Sequence, residues 1–289
     1  MSMIRQERIG ALAVEAMLYE VSASPKPGLV DRHNNGAHHD MDFFTFMSSA
    51  AALRGYFDVC AAIGSNAGTD DVPSFLPALQ QAGQKAEEDM FAMTSGINTH
   101  KGLIFSLGIL SACTGYIAAR KQALTVDQIC KAAAALCKGI CQKAYGSLSA
   151  KPEGQRTKGE KMYLRYGVTG VRGEAEAGFP SVRNISLPVY RALRQADVLL
   201  NDALVDTLLA LMAGMDDTNI LGRHDWHTSE QVKTMAQKAA DLGGMQTPAG
   251  QEAIRQLDER FIQDWISPGG SADLLAATHF LYEIERAEE

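Results

Sequence analysis

Residues 102–119 read GLIFSLGILSACTGYIAA, a run without a single charged side chain. About twenty apolar residues suffice to span a bilayer, so such a run either crosses one or lies at the centre of a protein. Gly102, Ser106, Gly108, Ser111, Thr114 and Gly115 dilute it, and the chain has no second comparable stretch. Small residues at this spacing let neighbouring helices approach closely. We read the run as the central buried helix of a bundle, with no membrane partner.

The flanking sequence agrees with that reading. Apolar residues recur at helical spacing in 9–21, 43–64, from Asp71 or Pro73 to about Met93, and in 125–145. The same period continues in 180–195, 197–213, 228–243, 249–265 and 271–287. Asp40 and Asp42 stand where a helix cap belongs, as does Thr125. Strand-like alternation is nearly absent, and its one weak candidate, MYLRYGVTGV (162–171), is interrupted by glycines. No internal repeat or low-complexity linker divides the chain. The expectation is one all-α domain over residues 1–289, a helical bundle with long polar loops.

Charge and cysteine usage exclude some functions. A net charge of −7 argues against a broad nucleic-acid footprint, so any polyanion must be held by local Lys and Arg clusters. Cysteines at 60, 113, 130, 137 and 141 contain no CxxC pair and read as buried thiols of a reducing cytoplasm. The segment MSMIRQERIG lacks the apolar run of a signal peptide, in keeping with a cytoplasmic location.

The connections are the informative part, because loops between bundle helices are normally short. Here SPKPGLVDRHNNGAHHDMD (24–42), TSGINTHKG (94–102), TKGEKMYLRYGVTGVRGEAEAGFP (157–180), MDDTNILGRHDW (215–226) and SPGGSADLL (267–275) are dense in charge and glycine. Their acids include Asp31, Asp40, Asp42, Glu174, Glu176, Asp216, Asp217 and Asp225. Carboxylates are natural ligands of Mg²⁺, though Asp216–Asp217 followed by Thr218–Asn219 is equally a helix-cap pattern. Lys26, Arg32, Lys101, Arg172 and Arg223 lie in the same loops beside glycines whose amides can approach an anion. There is no Walker loop, no GxGxxG, no GxSxG elbow and no reactive-cysteine motif. Two His-Asp dipeptides, at 39–40 and 224–225, raise a metal-dependent phosphohydrolase as a rival.

The blocks PKPGLVDRHNNGAHHDMD, GINTHKGLIFSLG, YGVTGVRGEAEAGFPSV, DDTNILGRHD and SPGGSADLLAATHFL, in that order from about residue 24 to 281, resemble those of the triphosphoribosyl-dephospho-CoA synthase family. The resemblance implies an all-α enzyme, a pentosyltransferase. It would move the 5-triphosphoribosyl group of ATP to the 2′-hydroxyl of 3′-dephospho-CoA and release adenine. The product would be the precursor of the prosthetic group on the acyl carrier protein of citrate lyase or malonate decarboxylase, passed on to the transferase that loads that protein. Inversion at the ribose carbon would make the transfer a single displacement. Either lyase system fits, and the oligomeric state is open.

Such a glycosyl transfer passes through an oxocarbenium-like transition state and needs a base, a held polyphosphate and help for the leaving group. On the resemblance, Asp216 and Asp217, with Asp31 or Asp42, are the candidates for Mg²⁺, and Asp31 is also a catalytic candidate. Lys26, Arg32, Lys101 and Arg172, helped by Gly28, Gly102, Gly173 and Ser271, would bind substrate. Glu174 or Glu176 would be the base, only one of them facing substrate, and His39 or His100 would protonate or orient the leaving adenine. A non-catalytic nucleotide-binding scaffold is the other rival.

Overall fold

The structure is a computed structural model and describes residues 4–67, 75–148 and 151–287. The helix start expected at Asp71 or Pro73 lies outside these residues. Among them the fold is all-α, without a strand. The first half comprises α1 (Gln6–Ser22), α2 (Phe43–Ala52), α3 (Arg54–Asn66), α4 (Leu76–Met93) and α5 (Lys101–Ala119). Next come α6 (Val126–Leu136), α7 (Ile140–Tyr145), α8 (Lys158–Tyr166), α9 (Gly170–Glu176) and α10 (Leu187–Gln195). The chain closes with α11 (Leu200–Gly214), α12 (Thr218–Arg223), α13 (Trp226–Asp241), α14 (Pro248–Asp264) and α15 (Gly269–Arg286).

Helix α5 is the uncharged run, and its most apolar stretch is 78% buried within the protein. It packs against α1, α3, α4, α6, α9 and α15. Leu107, Leu110, Ala112 and Cys113 are fully enclosed, and each buried leucine contributes about 1.5–3 kcal/mol. The close α3–α5 contact depends on Gly64 and Gly115. A methyl group on either would strike a backbone carbonyl of the facing helix, at Ala112 and Ala61 respectively. Replacing either with a larger residue would force the two helices apart.

Three segments differ from the sequence expectation. The 43–64 helix bends at Leu53 into α2 and α3, both of which lean on α1. The 125–145 helix breaks at Gly139, whose φ of 82° leaves the helical region. The weak strand candidate falls on α8, where Thr157 and Glu160 form a capping box and Gly167 closes the helix at φ 71°. Residues Val182–Ser186 form a π turn ahead of α10.

The thiols pack as small apolar side chains. Cys60, Cys113, Cys130 and Cys137 are buried, and burial pushes Cys130 and Cys137 up to about 12, too high for a reactive thiolate at neutral pH.

Candidate active site

The 24–42 segment is a rigid strap. Asp31, itself buried, accepts from the backbone amides of Lys26 (2.9 Å), His33 (2.6 Å) and Asn34 (3.1 Å). Asp258 of α14 ties the strap down through Gly28 N (3.0 Å) and Asn34 Nδ2 (2.9 Å). Gly28 sits at φ 69° with Phe261 and the Ile266 carbonyl where a Cβ would stand. Arg32 reaches away to Asn201 Oδ1 (3.1 Å).

Two adjoining cavities open beside this strap, of about 490 and 680 Å³, each large enough for a nucleotide-sized ligand. All five polar connections meet there. The 24–42 and 94–102 segments and the 157–180, 215–226 and 267–275 segments all contribute walls. Asn98, Lys101, Gly102, Thr218, Asn219 and Asp273 border both cavities, so they form the wall between them.

The first cavity has Lys26, Lys101 and Arg223 on its walls, together with Glu20, Asp40 and Asp273. Lys26 is 1% exposed and ion-paired with the equally enclosed Glu20. Burial pushes the Glu20 carboxyl up, and the Lys26 ammonium pulls it part of the way back. His100, at the N-terminus of α5, is also buried. Thr99 Oγ1 donates to Ser49 Oγ (2.7 Å), which is in turn hydrogen-bonded to His100 Nδ1 (2.7 Å). His100 Nε2 has no partner among the described residues. Burial, reinforced by the Lys26 charge, lowers His100 to about 3, so the ring is neutral rather than an imidazolium acid. The amides of Gly102 and Leu103, in the first turn of α5, have no acceptor among the described residues. Together these groups offer an anion several unused N–H donors at a positive helix end.

The first turn of α15 is arranged differently. Asp217 accepts from Asn219 N (2.8 Å), Gly270 N (3.2 Å), Ser271 N (2.8 Å) and Ser271 Oγ (3.0 Å), capping α12 and α15 at once. Its carboxylate is therefore occupied as a structural clamp, and Ser271 points to it rather than into a cavity. Burial raises the Asp217 pKa against the pull of these donors.

The second cavity carries Gly173, Glu174 and Asp216. Glu174 accepts from Ser181 Oγ (2.6 Å) and Ser181 N (3.2 Å), and burial raises its pKa. Asp216 pairs with Lys233 at 2.5 Å. Glu176 points the other way and holds the start of α7 through Gly139 N (2.5 Å) and Cys141 N (3.2 Å).

Of the residues singled out in the sequence, Lys26, His100, Lys101, Gly102, Gly173, Glu174 and Asp216 line the cavities. Asp31, Asp217 and Ser271 support them from behind. Gly28, Arg32, His39, Asp42, Arg172 and Glu176 are not among the lining residues. Asp42 caps α2, and His39 lies edge-on to Trp265, with ring centroids 4.2 Å apart. Arg172 is exposed on α9. Sequence reasoning passed over Glu20, His38 and Asp273. Glu20 hides in an amphipathic helix and Asp273 in a glycine-rich helix start, whereas His38 was legible beside the His39–Asp40 dipeptide.

The 224–225 dipeptide of the phosphohydrolase rival is engaged elsewhere. Asp225 caps α13 through Thr228 N (2.8 Å), and His224 Nε2 meets the Trp265 carbonyl (3.0 Å). Among the described residues no three His, Cys, Asp or Glu side chains come close enough to form a metal cluster.

Over residues 6–289 the sequence matches the family described as ATP:dephospho-CoA triphosphoribosyl transferase. The chain belongs to that family. This transferase is 41% identical over 270 residues to the Lactiplantibacillus plantarum protein named "Probable 2-(5''-triphosphoribosyl)-3'-dephosphocoenzyme-A synthase", covering 93% of this chain and 94% of the relative. It is 38% identical over 287 residues to the Escherichia fergusonii 2-(5''-triphosphoribosyl)-3'-dephosphocoenzyme-A synthase, covering 99% and 94%. No solved structure matches the chain.

Proposed function

We propose that the enzyme joins ATP to 3′-dephospho-CoA, breaking the bond from the ATP ribose to adenine and keeping the triphosphate. The observation that carries this reading is the shared wall: substrates held in the two cavities meet at Lys101, Gly102 and Asp273.

Holding two nucleotides side by side supplies most of what a bimolecular displacement lacks in solution, namely proximity and orientation. Phosphate oxygens are taken by Lys26, Lys101, Arg223 and the free amides of α5. These donors fix the triphosphate while the ribose carbon turns toward its acceptor. As a neutral ring, His100 orients a ligand atom; it has no spare proton to give adenine at neutral pH.

Mg²⁺ usually takes one or two protein carboxylates and completes its shell with water and phosphate oxygens. Asp216 and Glu174, on the second cavity, would hold the cation. It would neutralise charge on the triphosphate. Asp217 and Asp31 have their oxygens turned to backbone amides and would support the site instead.

The product would serve as precursor of the acyl carrier prosthetic group of citrate lyase or malonate decarboxylase, made in the cytoplasm. The test is a chromatographic run on ATP, Mg²⁺ and 3′-dephospho-CoA with the protein. Adenine and the coupled product should appear together. Phosphate without adenine would restore the phosphohydrolase, and saturable ATP binding without turnover would leave a scaffold.

A further inference from the structure

We propose that Asp273 is the catalytic base of the transfer, taking the proton from the hydroxyl that attacks the ATP ribose. This rests on the transfer reading above and assigns a residue to its central proton step.

The argument is one of elimination by geometry. The other carboxylates at the cavities are paired or open to solvent. Glu20 is paired with Lys26, Glu174 with Ser181 and Asp216 with Lys233, while Asp40 is 66% exposed to solvent. Asp217, behind the wall, is saturated by its four donors. Asp273 makes no hydrogen bond or ion pair among the described residues, although it stands near the N-terminus of α15, half-buried on the wall common to both cavities. An unpartnered carboxylate is costly in such a place unless a ligand completes it.

The approach is built for it. Gly102 in the first turn of α5 has no side chain, and a Cβ there would overlap Asp273 Oδ2. The carboxylate therefore stands beside the free α5 amides that hold phosphate, next to the position where the ribose must lie. Its surroundings also make it a stronger base than a surface aspartate. Burial raises its proton affinity first, and the negative charges of Glu20 and Asp217 add to that.

The step balances without an added reactant. The acceptor oxygen forms its bond to the ribose carbon as the bond from that carbon to adenine breaks, its electron pair leaving with adenine. The hydroxyl proton passes to an ionised Asp273 oxygen and from there to solvent, while the departing adenine takes up one proton from solvent, so protons balance over the cycle.

Asp273→Asn keeps the shape and removes the base. The expected result is binding of each nucleotide within about threefold of wild type by calorimetry, with adenine release slowed about 10²–10⁴-fold. Raised Mg²⁺ should not restore the rate, and the acid limb of the wild-type pH–rate profile should vanish. Asp273→Ala provides a second reading, since added formate should recover part of its activity. The proposal is overturned if Asp273→Asn keeps more than a tenth of the wild-type rate, if excess Mg²⁺ rescues it, if it no longer binds either nucleotide, or if formate leaves Asp273→Ala unchanged. Should the wild-type protein itself free no adenine, the transfer reading fails, and that is seen before any variant is assayed.

Discussion

The carboxylate of Asp273 lies against the Cα of Gly102, so the N-terminal turns of α15 and α5 touch where the two cavities join. A methyl group at position 102 would push that carboxylate aside. Gly102→Ala should cut turnover about 10–100-fold through misplacement of a reacting group. The melting temperature should hold or rise slightly, because alanine favours the helix by about 1 kcal/mol. Steady-state assay beside a thermal melt separates the two effects.

Glu174 and Glu176 are two residues apart and face opposite ways. Glu176→Ala should leave turnover within about threefold of wild type and cost about 1 kcal/mol of stability, the ordinary value of a lost helix cap. Glu174→Ala removes a carboxylate from the second cavity and should raise the Mg²⁺ concentration needed for half-maximal activity. A magnesium titration of both variants tests the contrast.

Lys26 and Glu20 neutralise each other in a nearly dry setting. Removing one partner strands a buried charge, so Lys26→Met should lose about 3–5 kcal/mol in denaturant unfolding. The double variant Lys26→Met with Glu20→Leu should recover most of that stability. It should stay inactive, since the ammonium that meets phosphate is gone.

His100 gives a pH signature. Its pKa falls from 6.5 to about 3 on folding, so between those values the unfolded chain takes up a proton that the folded chain refuses. Its contribution therefore favours folding above about pH 6.5 and drains away as pH falls toward 3. The stability gap between wild type and His100→Gln should narrow by about 1.4 kcal/mol per pH unit across that window. Paired urea unfolding curves measure it.

Much of this architecture was readable beforehand. The small residues diluting the uncharged α5 run pointed to burial among helices, and the loops between helices were too polar to be mere connectors. Individual roles were harder to read. Asp217 looked like a metal ligand or a cap in sequence; in the structure it caps α12 through Asn219 N and also accepts from Ser271 N, 54 positions away. Arg32 and His39 share the loop of Lys26, yet the strap turns them toward Asn201 and Trp265. Asp273 gave no signal because its distinction is the absence of partners among the described residues, a property of three-dimensional packing alone.

The most direct test of two substrates meeting in one composite site is the initial-rate pattern over a grid of ATP and 3′-dephospho-CoA concentrations. Intersecting double-reciprocal lines, with no adenine released until the acceptor is added, are the predicted result. Parallel lines, with adenine freed from ATP alone in an amount matching the enzyme, would contradict it.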